Sequence, residues 1–216
     1  MANEYIDLET LKFLLYRVNG LQDVLEIPDY EEYDIASIDM LLNSVKEFSD
    51  KELYPYYREM DEKPAHFKDG EIVVHPQVNK YMKAAGEMGF IAGAFPYKNG
   101  GLQLPSMVMN ALGYVQEAAN NHLPGYIGLT IGAAELITHF GNQHLNDTYV
   151  PKMLEGAWGG TMCLTEPQAG SSLSDIISTA TPDGDTYKIH GQKIFISGGD
   201  YQGAENIVHL VLARIK

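Results

Sequence analysis

The sequence predicts an α+β fold in which an all-α amino-terminal domain is followed by an incomplete antiparallel β domain. Three observations carry that expectation. Apolar side chains recur at three- and four-residue intervals as far as about residue 155, the period of helices buried along one stripe. From Trp158 onward, short alternating runs replace that period. Nine of the 21 glycines fall between Gly156 and Gly203, where chain reversals would need them. The expected organisation is an extension over 1–35, a helical domain over 36–157 and the first part of a β domain over 158–216.

In chain order, Leu8, Leu11, Leu14, Leu15 and Val18 give a helix over 5–19 that Gly20 ends, and Pro28 marks a linker. Ser37 is expected to cap the next helix, with Asp39 favourable at the positive end of its dipole. Ile38, Leu41, Leu42, Val45 and Phe48 form its buried stripe. Further helices read over 76–88, 105–121, 126–140 and 143–155. The first two of these place proline in the tolerated first turn, Pro151 predicts a kink in the last, and Gly156 closes it. Strands are expected over 161–164, 176–181, 187–190, 193–197 and 207–215. Pro182-Asp183-Gly184-Asp185 reads as a hairpin turn, because proline presets one dihedral and glycine accepts another.

With 216 residues and 45% hydrophobic content, the chain can bury a sizeable core in one or two domains. The net charge of −14 is concentrated at the front, where residues 1–62 hold 16 acidic and five basic side chains. No lysine or arginine stripe is present, so nucleic acid is not an expected partner. The run 26–34 is most simply a solvated acidic segment, with an electron-transfer or subunit contact as the alternative. The start, Met-Ala-Asn-Glu-Tyr-Ile-Asp, is acidic where a secretory signal is basic, and no run of eighteen apolar residues could span a membrane. The expected location is the cytoplasm. Cys163 has no disulfide partner and reads as a small buried side chain, and the seven histidines show no metal-ligand spacing, so no metal is expected.

Two segments carry chemistry. The apolar run 161–164 is halted by Thr165-Glu166-Pro167, because the residue before proline leaves helix geometry. Ala169, Gly170, Ser171 and Ser172 follow, small residues whose amides can approach a diphosphate closely; a plain tight loop is the alternative. In the second segment, Lys193-Ile194-Phe195-Ile196-Ser197 precedes Gly198-Gly199. A strand there puts the Phe195 ring and the Ser197 hydroxyl on one face, which suits a flat heteroaromatic cofactor; a phenylalanine in a sheet core is the alternative.

These segments stand in order after His139-Phe140-Gly141-Asn142-Gln143 and Tyr149-Val150-Pro151-Lys152-Met153 through Gly156. Together they resemble the acyl-CoA dehydrogenase family, and residues 5–25 are similar to the amino-terminal extension of its longer members, including the 3-methylmercaptopropionyl-CoA dehydrogenase type. The resemblance implies that Met162, Cys163, Leu164 and Thr165 border the isoalloxazine of FAD, with the Thr165 hydroxyl bonding the ring edge. Gly170 and Ser171 would meet the pyrophosphate, and Ser171 also the pantetheine arm of the acyl-CoA. Phe195, Ile196 and Ser197 would cover the flavin face opposite the substrate, and the small-residue stretch 125–132 would border the floor of the acyl pocket. Many members carry tryptophan at the position of Phe195, threonine at Ser197, tyrosine at Met162 and aspartate at Ser172. Phe195 keeps the stacking surface without an indole donor, and Met162 cannot hydrogen-bond as tyrosine does.

The implied activity is FAD-dependent α,β-dehydrogenation of an acyl-CoA thioester to the trans-2-enoyl-CoA. Electron-transfer flavoprotein or a similar acceptor and a homo-oligomeric assembly are the implied partners. In the family the catalytic glutamate belongs to a carboxy-terminal helical bundle, so no catalytic base is expected within these residues. Glu166 is not assigned that role, since its place before Pro167 fits a turn. The run 208–216 ends as an apolar strand without a successor, so the chain is read as an amino-terminal fragment that is catalytically silent alone, its last strand loosely ordered or paired with a neighbour. The alternatives are a flavin-dependent oxidase or monooxygenase on the same scaffold and a non-catalytic binding or assembly module.

Overall fold

The computed structural model describes residues 5–216; residues 1–4, the first part of the acidic start read over 1–7, lie outside the described residues. Helix α3 (Ile35–Phe48) begins earlier than expected because Asp34, not Ser37, is its N-cap. The Asp34 carboxylate accepts from the Ser37 N–H at 2.7 Å, while the Ser37 hydroxyl accepts from the Asp34 N–H at 2.9 Å. This is a reciprocal capping box in which serine stands at the third position. Ile38, Leu42 and Val45 are buried, and Leu41 and Phe48 pack partly buried against the same core.

Ahead of it, α1 (Leu8–Phe13) widens into a π turn over Leu14–Val18, and α2 (Leu21–Leu25) follows Gly20. The extension expected to hold one helix thus holds two. It is not a loose arm, since Ile6, Leu15, Leu21 and Leu25 enter the common core. The Tyr16 hydroxyl donates to Asp39 at 2.5 Å, and Gln103 Nε2 donates to the Asp29 carbonyl at 2.8 Å.

Residues 49–76 hold structure that periodicity did not announce. A π turn over Ser49–Leu53 runs into α4 (Tyr57–Glu62), followed by a hairpin of β1 (His66–Lys68) and β2 (Glu71–Val73). Pro55 breaks the helix, and buried side chains take up the carbonyls left at the break. Asn120 Nδ2 donates to Leu53 O at 3.1 Å and Gln77 Nε2 to Glu52 O at 2.8 Å.

Helices α5 (Gln77–Glu87), α6 (Ser106–Ala119), α7 (Pro124–Phe140) and α8 (Gln143–Leu154) occupy the expected windows. Helix α7 starts two residues early, at Pro124, where a missing N–H costs nothing. Pro76 and Pro105 stand one place before their helices as N-cap residues. Gly156 closes α8 with φ +72°, and a Cβ there would lie 2.2 Å from the Met82 carbonyl oxygen, so both conformation and space demand glycine.

The sheet region is mixed, which corrects the expectation of a purely antiparallel domain. Strand β3 (Trp158–Cys163) pairs in parallel with β6 (Asn206–Val211). Strand β4 (Thr179–Asp183) pairs antiparallel with β5 (Thr186–His190) around Gly184, and in parallel with β7 (Arg214–Ile215). Parallel pairing needs a long crossover, and residues 164–205 supply it for β3 and β6. Two further expectations fail here. Residues 193–197 form no strand, because Phe195 takes a left-handed conformation (φ +59°) that breaks the alternation. The final run is neither unpaired nor single: it divides into β6 and β7, which pair in different sheets of the same chain.

Helix α7 carries the sheet region. Gly160 of β3 lies so close to α7 and α8 that a Cβ would stand 2.8 Å from Ala133 Cβ of the first and 2.7 Å from Met153 Cε of the second. Its N–H donates to Thr130 Oγ1 at 3.1 Å. The loop before β6 is fastened as well, through Gln202 N–H to Ile72 O at 2.8 Å and Asn79 Nδ2 to Gln202 O at 3.0 Å. Tyr201 packs edge-on against Tyr126 at 5.2 Å, and burial pushes its hydroxyl pKa up to about 12.

Candidate functional site

Strand β3 ends at Cys163, and the chain then closes a tight turn over Glu166-Pro167-Gln168-Ala169. The Glu166 N–H donates to Ala169 O at 2.8 Å and the Ala169 N–H returns to Glu166 O at 3.1 Å. Proline in the second place of such a turn presets its dihedral. Beyond it Gly170, Ser171 and Ser172 are exposed, and a Cβ on Gly170 would point into open space. Ser172 Oγ donates to Asp175 at 2.7 Å, which anchors the far end of the loop.

The segment containing Phe195 runs beside this turn. The Ile194 N–H donates to Thr165 O at 3.0 Å, and Lys193 Nζ donates to Leu164 O at 2.9 Å and to Glu166 Oε1 at 2.8 Å. The two segments, separated by more than twenty residues in sequence, are one structural unit. Glu166 is the centre of the junction, its side chain 1% exposed and that of Lys193 11%. Its Oε1 also accepts from the Ser178 N–H at 3.1 Å, and Oε2 accepts from the Ile177 N–H at 2.7 Å and Gln168 Nε2 at 2.8 Å. Burial alone would raise this carboxyl, but the Ile177 N–H, the Lys193 ammonium, Ser178 and Gln168 outweigh it and hold it well below the usual carboxylate range. A carboxylate so occupied is a poor proton acceptor, so Glu166 organises the turn and is no general base.

Of the residues named from the sequence, Met162, Leu164, Thr165 and Ile196 are half-buried, while Gly170, Ser171, Ser197 and Phe195 are exposed. Cys163 faces inward with Thr161, its Sγ 3.5 Å from Thr161 Oγ1, so only its main chain reaches the turn. Phe195 is 88% exposed in a backbone conformation that phenylalanine seldom takes. Ser197 does not lie one strand step beyond it, because 196–199 turns back with the Gly199 N–H donating to Ile196 O at 3.3 Å. The hydroxyls of Thr165, Ser171 and Ser197 bond to no protein group among the described residues. An exposed ring, hydroxyls without a protein partner on the adjoining segments and a small-residue loop are groups that fit an isoalloxazine and a diphosphate.

A cavity of about 280 Å³ lies between α6, α7 and the turns that follow α5, lined by Phe90, Met109, Gly113, Ile127, Gly128 and Ile131 among others. Part of the small-residue stretch 125–132 thus faces open apolar space. Lys193 had no role in the sequence reading; the signal was a charge at the head of the apolar run 194–196, with a glutamate three residues past the end of β3 to receive it.

A helical domain bearing this turn-and-clasp unit at the mouth of a sheet defines a class. Residues 36–157 match the family described as "Acyl-CoA dehydrogenase, N-terminal domain". The chain belongs to the acyl-CoA dehydrogenase family. It is 32% identical over 205 residues to the 3-methylmercaptopropionyl-CoA dehydrogenase of Ruegeria pomeroyi, an alignment covering 94% of this chain and 35% of that protein. It is 31% identical over 218 residues to a butyryl-CoA dehydrogenase of Syntrophomonas wolfei, covering 98% and 36%. The fold superimposes on the acyl-CoA dehydrogenase from Geobacillus kaustophilus with TM-score 0.67 and 28% identity, over 83% of this chain and 44% of that one. The chain spans about a third of the length of the curated relatives it matches.

Proposed function

We propose that this chain supplies one wall of an FAD-dependent acyl-CoA dehydrogenase site, acting on the α,β bond of an acyl thioester. The observation that carries the reading is Phe195, held left-handed and solvent-exposed beside Thr165, where packing gives no return for the conformational cost. Phe195 offers the stacking surface, with Ile196 and Ser197 beside it, and Thr165 with the main chain of Met162, Cys163 and Leu164 borders the ring. Gly170 and Ser171 receive the diphosphate, and Ser171 also the pantetheine arm. FAD, when bound, accepts the hydride that leaves the β carbon. These residues orient the cofactor and keep water from one of its faces; the α-proton needs a base that none of them supplies.

The resemblance to a 3-methylmercaptopropionyl-CoA dehydrogenase and a butyryl-CoA dehydrogenase supports an acyl-CoA substrate. The cavity against Gly128 supports a place for an acyl chain. We assign the extension to 1–35, the helical domain to 36–157 and the sheet domain to 158–216. We propose a cytoplasmic homo-oligomer that passes electrons to an electron-transfer flavoprotein or similar acceptor. No helix among the described residues is long and apolar enough to cross a membrane.

Titration with FAD tests the reading. Phe195→Ala should weaken binding by on the order of 1 kcal/mol from lost aromatic burial, and Ser171→Leu should lower affinity for FAD or acyl-CoA; unchanged binding in both variants refutes it. Anaerobic mixing of this 216-residue chain with FAD and saturated acyl-CoAs should leave the flavin absorbance unbleached, and substrate-dependent bleaching would place a base within the chain.

A further inference from the structure

The junction between the two segments is built around a buried charge pair that the proposed chemistry does not use. Glu166 and Lys193 meet at 2.8 Å, and Glu166 takes two main-chain N–H bonds from Ile177 and Ser178. Lys193 spends a second donor on Leu164 O, the carbonyl directly before Thr165. Removing two charges from water is costly, and an apolar pair would stabilise a fold as well or better. What the pair gives instead is geometry: the lysine spans from the end of β3 to the residues that precede Phe195, fixing both in one register. The Ile194 N–H bond to Thr165 O lies directly alongside.

We propose that Glu166 and Lys193 are positioning residues which set the Phe195 segment against Thr165 before any cofactor arrives. The inference rests on the flavin reading above and adds to it the device that organises the cradle. A clasp closed in the free chain leaves no ordering to be done on binding. Opening it lowers the fraction of binding-competent molecules, and the apparent dissociation constant rises in inverse proportion.

The test compares wild type, Glu166→Gln, Lys193→Met, the double variant and Lys193→Arg. Amide hydrogen exchange in the absence of flavin, FAD titration and the absorbance spectrum of bound flavin are measured for each. In the single variants the Ile194 amide should exchange faster, and a tenfold drop in competent fraction raises the FAD dissociation constant by about tenfold. The double variant, freed of the unpaired charge, should regain thermal stability without regaining FAD affinity or the wild-type spectrum. Lys193→Arg should recover part of both. A double variant that binds FAD as wild type does, or unaltered Ile194 exchange in the singles, overturns the proposal and leaves the flavin reading standing. If wild type and Phe195→Ala alike bind no FAD, the flavin reading itself fails and the positioning role falls with it.

Discussion

Phe195 opposes local cost to position more sharply than any other residue of the site. A left-handed conformation costs a non-glycine residue roughly 1–2 kcal/mol, and an exposed ring recovers little of it by packing. Phe195→Gly relieves that strain and gives back about 0.5–1 kcal/mol in unfolded-state entropy. The flavin-free protein should therefore melt no lower than wild type, and up to about 1.5 kcal/mol more stably, while its affinity for FAD falls. A variant that loses stability and keeps FAD would show that the ring packs for folding. Phe195 was legible as a ring in the right segment, but its conformation was not, since the pattern of 193–197 reads as a strand and only the contacts to Thr165 and Glu166 bend it out of one.

Glu166 carries a pH signature of definite sign. Its carboxyl is held below the ordinary range in the folded chain by the Ile177 N–H and the Lys193 ammonium, despite burial. The unfolded chain thus binds the proton more readily, with an unfolded value of about 4.3. The stabilisation is complete above that value and drains away as pH falls through the depressed folded one. Glu166→Gln should lower stability near neutrality and flatten its decline in acid. Urea melts across that range check it, and equal slopes for both proteins would remove Glu166 as a main contributor.

Helix caps and close approaches govern the elements. Loss of the capping box in Asp34→Ala should cost about 1 kcal/mol, seen as a lower urea midpoint with unchanged slope. Gly160→Val puts a branched side chain where a Cβ alone would lie 2.7 Å from Met153 Cε and 2.8 Å from Ala133 Cβ, at a cost of about 1–3 kcal/mol. Because Gly160 lies in the strand that leads to Thr165, the variant should lose FAD affinity along with stability. The helices were readable because each buries a periodic stripe, and α3, α5, α6, α7 and α8 lie where those stripes lie. The hairpin at 66–73 was not, since its strands are short and mostly exposed. Strand pairing was not readable either: the parallel partnership of β3 and β6 is fixed by a crossover of forty-odd residues whose course depends on contacts such as Arg214 Nε to Ile176 O at 2.7 Å.

At the scale of the whole molecule, α7 is the shared wall between an apolar cavity and the strand that presents the turn. Its one side lines the cavity through Ile127, Gly128 and Ile131, and its other receives Gly160 through Thr130. FAD bound only by the folded chain should raise stability by about 2.7 kcal/mol at a hundredfold excess over its dissociation constant, read as a ligand-dependent melting temperature. The most direct measurement is a structure of the protein determined with FAD. The ring should lie on Phe195, with the Thr165 hydroxyl in hydrogen-bond reach of its edge and the diphosphate against Gly170 and Ser171. A flavin bound elsewhere, with Phe195 still open to solvent and the loop after Pro167 unoccupied, would contradict the proposed cradle.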